Sequence, residues 1–564
     1  MSVPLQSSAA PVKKPASGIL GLTDSRPVEP LAPSTTPISQ HMGIQDAAVP
    51  TKSIGVMNTQ EYLAQDAVMN VKGYPFRYGI VRGLSASTAD GHWMPVNGGY
   101  LWSMDVHVDG TKAMRIHFTD VNLPAGAELV AYSMEEAFYI TGPVTGQGPW
   151  GNGEFWAKLM PGATARVEMF LPAQYLADAQ TESPFRIDSV VDAYHEVFKD
   201  DEGGIAAAGA CHNVPACFSP TWDNMRKAEG RIDFVDGGSG FLCSGQLVNT
   251  VASDQTPYYL TAAHCISNNT VANTAEILWK YEKATCAAAT ATVGGISDFC
   301  TLVTTYGTAD ETLLMVEGAL PSNMFWAGWV TAEPNSGQAS TCLHHPAGDY
   351  MRISFGTKSN TPNCGGSSTN FMLLSWTSGV TEGGSSGSAI IRNDTQQIYG
   401  TLTCGGSACV GAGANGQPDS YSQFDRAYNV GGFAAPLNAG SDDNLEPNDT
   451  CATAVAISPG TYTNRIVKST SEDWYKINIP NGGGISVSAT FTHSWGNIDM
   501  QLYNSCGGSV LTSSTGTGNS EALSYTNSGA AANFFLRVYL ASDTRNQYDL
   551  SISTIGPEND ECPG

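Results

Sequence analysis

The chain has 564 residues, with 27 Lys or Arg against 52 Asp or Glu and a formal net charge of −25. That length is too great for one ordinary core and points to three or four domains, while that charge argues against nucleic acid as a partner. Only 14% of the residues are charged and 61 are Gly, so polarity is carried by Ser, Thr, Asn and Gly, as is common in secreted β-rich proteins.

Cysteine placement says more. None precedes Cys211, ten fall from Cys211 to Cys409, and three lie beyond. Ten in one segment read as a disulfide framework and hence as an oxidising, extracellular compartment. No CxxC pairs with matching His spacing support a zinc site, so no metal and no organic cofactor is expected. No stretch is long and apolar enough to span a membrane, and membrane is not expected as a partner. The N-terminus, Met1 to Gln6, lacks the apolar core of a secretory signal. The expectation is that a signal has been removed or that the true start lies upstream.

Taken in order, residues 1–55 hold eight prolines with little apolar periodicity and read as a flexible leader, with Lys13 and Lys14 as nicking sites. Residues 56–199 turn β-like. Leu101–Val108, Ala113–Phe118 and Ala165–Phe170 alternate loosely, and Leu123-Pro124-Ala125-Gly126 and Pro161-Gly162 mark turns. The reading is a β-sandwich without a catalytic constellation.

The next segment carries the chemistry. An apolar strand in Tyr258-Tyr259-Leu260-Thr261-Ala262-Ala263-His264-Cys265 runs into a histidine among small residues. In Ala309-Asp310-Glu311-Thr312-Leu313 an Asp enters another strand, and Gly383-Gly384-Ser385-Ser386-Gly387-Ser388 sets a serine between glycines. Each alone is weak, since a lone His is usually a core residue and Gly/Ser runs are usually loops. Together they supply a nucleophile, a base to activate it, and a carboxylate to fix the base's tautomer. Ser297-Asp298-Phe299 competes for the carboxylate, but Asp310 leads into the better apolar strand. The serine loop is G-x-S-G-S, not the G-x-S-x-G elbow of the α/β-hydrolases.

Residues from about 205 to 437 resemble the bacterial lysyl endopeptidase branch of the chymotrypsin-fold serine proteases. The resemblance rests on Cys243–Asn249, Leu260–Cys265, Phe325-Trp326-Ala327-Gly328-Trp329, His344-His345-Pro346, Val380-Thr381-Glu382 and the Gly384–Ser388 loop. It implies an all-β chain with a chymotrypsin-like double β-barrel flanked by two β-sandwiches. His264, Asp310 and Ser386 would be catalytic, with an oxyanion hole of the Gly384 and Ser386 N–H groups. Thr403, Cys404 and Gly405 would line the substrate backbone, and Asp419, in Gln417-Pro418-Asp419-Ser420-Tyr421, would sit at the base of a lysine-selecting pocket. The implied disulfides are Cys211–Cys409, Cys217–Cys286 and Cys243–Cys265. At Cys364 and Cys404 the family usually carries a stacked Trp and His, so a Cys364–Cys404 bridge is expected instead, leaving Cys300 to pair with Cys342. The missing stack opens the pocket wall to Arg as a second choice. Residues 56–199 resemble the family's propeptide, through words such as Leu123–Ala127. An autocatalytic cut after Lys199 is expected, the last Lys or Arg before Arg226.

The protease domain is set at 200–440 and a polar linker follows. Residues 441–555 hold short alternating strands, among them Asp473–Ile479, Ile485–Ala489, Ile498–Tyr503, Phe534–Tyr539 and Tyr548–Ser553, which make a β-sandwich. With Glu446-Pro447-Asn448-Asp449 they resemble the bacterial pre-peptidase C-terminal domain. That implies an accessory module that binds an extracellular surface or substrate. Cys451 is expected to pair with Cys506. Residues 556–564, with Asn559-Asp560-Glu561-Cys562 repeating Asn448-Asp449-Thr450-Cys451, read as the start of a second copy, or else Cys562 is a free or intermolecular thiol. The expected activity is a secreted serine endopeptidase acting on polypeptides after Lys. The rivals are a glutamyl-type protease of the same fold and a catalytically silent adhesin.

Overall fold

The computed structural model describes residues 22–23, 36–44, 49–69, 72–198, 209–251, 255–332, 334–359, 370–437, 445, 448–468, 471–491, 493, 496–541 and 545–555. They divide into two compact units, one of 1–248 with 257–433 and one of 249–256 with 434–564. Lys199, Cys364 and Cys562 lie outside the described residues, and with them the expected maturation cut and the start of a second copy.

The first sandwich pairs one sheet of Thr51–Ile54, Gly99–Val108, Thr164–Pro172, Glu128–Ser133 and Ile140–Val144 with a second containing Ala113–Thr119, Arg186–Ala193 and Phe76–Ser87. Every residue but the last of Ala113–Thr119 is buried, which hides its period of two. The alternation is nonetheless kept. Met114, Ile116 and Phe118 fill the sandwich core. Arg115 reaches the carbonyls of Ala157 at 2.8 Å and Thr274 at 2.7 Å on its other side, and His117 stacks on Trp156 at 4.3 Å. Leu123–Gly126 closes a turn with the Ala127 N–H on the Pro124 carbonyl.

The second sheet does not stop at the expected domain boundary. Phe76–Ser87 pairs antiparallel with Ser239–Val248, Leu242 opposite Phe76 and Ser239 opposite Ile80. The sheet then continues through Glu229–Asp236, Glu276–Trp279 and Gly295–Asp298. Tyr258–Thr261 joins Ser239–Val248 to Glu311–Val316, which pairs with Cys300–Tyr306. Leu22–Thr23, in the leader, pairs with Phe325–Trp326.

The other half of the protease segment is a closed barrel in the order Ala339–His344, Arg352–Ser359, Phe371–Ser378, Asp419–Ser422, Ile398–Gly405 and Ala389–Arg392. Met372, Leu374, Ile390, Leu402 and Tyr421 fill it. Disulfides join Cys211 to Cys409, Cys217 to Cys286 and Cys243 to Cys265, and Cys404 is itself disulfide-bonded. One expected bridge is corrected: Cys300 and Cys342 are buried thiols and not a disulfide. Cys300 faces Val316 across one sheet, whereas Cys342 belongs to the closed barrel, its thiol 3.2 Å from the Ser388 hydroxyl.

In the second unit a five-stranded sheet holds Asp473–Ile479, Ala532–Leu540 and Ile498–Tyr503, and a four-stranded sheet holds Gly460–Lys468, Arg545–Ile555, Gly484–Phe491 and Ser520–Thr526. Tyr475, Ile477, Val487, Met500, Leu536 and Leu550 form its core, and Cys451 is bonded to Cys506.

Candidate active site

His264 sits just past the strand Tyr258–Thr261, and the Cys243–Cys265 disulfide ties the next residue to the neighbouring strand. Asp310 immediately precedes the strand Glu311–Val316, at φ 57°, a left-handed conformation that Asp tolerates better than most residues. That turn aims its carboxylate back at His264, accepting the backbone N–H at 2.8 Å through Oδ1 and facing Nδ1 at 2.8 Å through Oδ2. An Nδ1–H donated to a carboxylate leaves Nε2 with its lone pair, the tautomer a general base requires. Asp298, the competing carboxylate, lies elsewhere and pairs with Lys158 at 3.2 Å.

Ser386 occupies a loop with two left-handed glycines, Gly384 at φ 89° and Gly387 at φ 82°. A Cβ on Gly387 would lie 2.3 Å from Thr261 Oγ1 and 2.6 Å from the Ser244 carbonyl. Glycine is what lets the serine loop close onto the strand leading to His264. The loop is pinned by Ser244, whose N–H donates to the Ser386 carbonyl at 2.8 Å and whose hydroxyl donates to the Gly384 carbonyl at 3.0 Å. His344 lies beneath it, Nδ1 2.8 Å from Ser385 Oγ and Nε2 3.1 Å from Ser354 Oγ, and burial holds its pKa well below the usual value. Glu382 precedes the loop. Burial alone would raise its carboxyl, but His212 at 3.0 Å and the N–H groups of Gly209 and Cys409 bring it down to about 2.

Ser386 Oγ and His264 Nε2 are both buried, and neither has a hydrogen-bond partner among the described residues. The N–H groups of Gly384 and Ser386 are likewise given to no acceptor among them. Two buried side-chain atoms, Ser386 Oγ and His264 Nε2, and two backbone N–H groups of this loop are thus left without a partner among the described residues.

Asp419 begins a barrel strand and is fully buried. Its Oδ2 receives Trp376 Nε1 at 2.6 Å, the Thr381 hydroxyl at 2.6 Å and the Ser407 hydroxyl at 2.5 Å. Its Oδ1 receives the Ser407 N–H at 3.1 Å and one ammonium, that of Lys72, at 2.6 Å. The Lys72 ammonium also donates to the carbonyls of Ser407 at 2.7 Å and Thr381 at 3.1 Å. Burial lowers the Lys72 pKa, and the Asp419 charge opposes that shift. Gly405 stands opposite Asp419 in the barrel, where a Cβ would come within 2.1 Å of Oδ1. A larger residue there would collide with the Asp419 carboxylate. Thr403 and Cys404 lead into Gly405 along the same strand. Lys72, Trp376, Thr381 and Ser407 were not singled out from sequence. Only Thr381 lay in a recognised word, Val380-Thr381-Glu382, with no role attached.

Residues 205–422 match the family model described as lysyl endopeptidase, C-terminal domain. The segment that carries His264, Asp310 and Ser386 is thus similar to the lysyl endopeptidases. Residues 471–540 match the bacterial pre-peptidase C-terminal domain model. A curated lysyl endopeptidase from Pseudomonas aeruginosa is 27% identical over 300 residues, 50% of this chain and 64% of that protein. Among solved structures, a thermostable serine protease, AL20, from an extremophilic microorganism matches with a TM-score of 0.29 at 18% identity, covering 39% of this chain and 98% of its own. A protease from M. tuberculosis in its active form matches with a TM-score of 0.26 at 15% identity, covering 42% of this chain and 88% of its own. Likenesses that low do not bear on the assignment. Within residues 205–422, the His264–Asp310 pair adjoins strands of one sheet and the Ser386 loop adjoins the closed barrel.

Proposed function

We propose that the chain is an extracellular serine endopeptidase that hydrolyses the peptide bond following lysine, with arginine as a second choice. Ser386 Oγ attacks the scissile carbonyl carbon while His264 Nε2 takes its proton. Asp310 keeps the imidazole in the required tautomer and stabilises the imidazolium that forms. The N–H groups of Gly384 and Ser386 receive the developing oxyanion, a contribution typically worth about 3 kcal/mol per donor. The imidazolium then gives its proton to the leaving amine, the C–N bond breaks, and an acyl-Ser386 remains. Water, deprotonated by His264, attacks the acyl carbon and releases the new carboxyl terminus and Ser386.

The observation that carries the lysine reading is the surroundings of the Asp419 carboxylate. A buried carboxylate is costly unless paired, and Lys72 provides a lysine ammonium at 2.6 Å from Oδ1. An acidic substrate side chain would meet a like charge there, which disfavours a glutamyl-type protease. The four disulfides among the described residues support an oxidising compartment. For the second unit we infer binding to an extracellular surface or to substrate. A fluorophosphonate probe is expected to label Ser386 in the processed wild-type enzyme and to leave Ser386→Ala unlabelled. Labelling elsewhere, or none, would remove the serine-protease reading.

A further inference from the structure

The Asp419 pocket is already filled, and by this same chain. Lys72 belongs to the turn before the strand Phe76–Ser87 of the segment resembling a propeptide. Its side chain is 3% exposed and that of Asp419 is 0% exposed. All four acceptors that the ammonium reaches, namely Asp419 Oδ1, the Ser407 hydroxyl and the carbonyls of Ser407 and Thr381, belong to the pocket. The side chain is bound as a substrate's would be.

The backbone is not. No hydrogen bond joins the Lys72 carbonyl to the N–H of Gly384 or Ser386, and Ser386 Oγ has no partner among the described residues. Gly73, on the carboxyl side of Lys72, instead lies against the barrel strand, where a Cβ would stand 3.3 Å from Cys404 Cβ and 3.7 Å from the Thr403 carbonyl. The carbonyl that acylation would attack is therefore not polarised, and the pocket is occupied without presenting a bond for cleavage. The rest of the segment holds Lys72 in place. Phe76–Ser87 is bonded into the strand Ser239–Val248, and Arg77 is anchored by Asp66 at 2.7 Å.

We propose that Lys72 is a tethered plug: a lysine side chain, supplied by the segment before the protease, that occupies the Asp419 pocket uncut and keeps the enzyme silent until that segment is removed. Because the plug is held by sheet pairing as well as by the chain, the expected cut after Lys199 would not by itself release it. This proposal rests on the lysine-pocket reading, and the test separates the two.

Full-length Ser386→Ala protein, which cannot process itself, is titrated with a fluorescein-labelled peptide containing one lysine, read by anisotropy. Ser386→Ala is expected to bind at least 50-fold more weakly than S386A/K72M. Adding Asp419→Asn to the latter should abolish the gain. Equal, tight, Asp419-dependent binding by S386A and S386A/K72M would overturn the plug and leave the pocket reading standing. If neither bound the lysine peptide, while a matched glutamate peptide bound S386A/K72M, both would fall. Amine acetylation of Ser386→Ala, mapped by mass spectrometry, needs no Lys72 variant to fold. Lys72 should react at least tenfold more slowly than Lys112, whose side chain is 50% exposed, and equal rates would overturn the proposal.

Discussion

Asp310 and its neighbour Glu311 show how one step along a chain separates two carboxylates by environment. Asp310 faces His264, whereas Glu311 points into the interior, accepts the Ser422 hydroxyl, and is pushed up to about 8 by burial against the opposing effect of that hydrogen bond. A raised folded-state value stabilises the fold below the ordinary carboxyl range, near 4.5, and that contribution is lost as pH rises through about 8. Glu311→Gln keeps an acceptor for Ser422 without the titration. Its Tm relative to wild type should therefore climb from pH 5 to pH 8.5, and parallel Tm curves would contradict the assignment. The contact between His264 and Asp310 was legible because each lies in a local word whose residue types have a chemical reason to be there. Lys72 was not legible, because its meaning depends on a carboxylate 347 positions away. The Cys300–Cys342 pairing failed for a related reason. Elimination assumes that every cysteine is oxidised, and these two belong to different sheets.

Among the elements, strands with one buried and one open face were the easiest to read. Asp473–Ile479 and Ile498–Tyr503 have the bounds read from sequence, because alternation survives where only one side meets a core. Ala113–Thr119, buried on both sides, gives a weaker signal, since its polar residues are recruited to bonds across the fold. The serine loop is the element most exposed to a single substitution. At Gly387 an added Cβ meets both Thr261 and Ser244, and φ 82° disfavours any L side chain. Gly387→Ala is therefore expected to cost about 1–3 kcal/mol of stability. It should also lower kcat by moving the Ser386 loop off the His264 strand. Unchanged Tm and kcat would mean that the loop is not pinned there.

Across the whole molecule, the sequence suggested a boundary near residue 199, and composition could not reveal that a sheet crosses it. Phe76–Ser87 pairs with Ser239–Val248, the strand that carries Ser244 and so positions the Ser386 loop. Non-local strand pairing is slow to form, so a preformed partner strand should speed it. Denatured 205–564 should accordingly refold to an active enzyme in higher yield when separate 1–199 is added and later removed. A yield indifferent to 1–199 would mean that the shared sheet plays no part in folding.

The central claim is that Ser386 cleaves after the residue whose side chain Asp419 binds. It is tested most directly by kcat/KM of the processed enzyme and its Asp419→Asn variant on matched peptides that differ only in Lys, Arg or Glu before the scissile bond. The wild type should prefer Lys, with Arg second and Glu uncut. Asp419→Asn should lose roughly two or more orders of magnitude on Lys, as expected when a buried charge partner worth about 3 kcal/mol or more is removed, while Ser386 keeps its reactivity toward the fluorophosphonate. Lysine cleavage at the wild-type rate by Asp419→Asn would contradict the account.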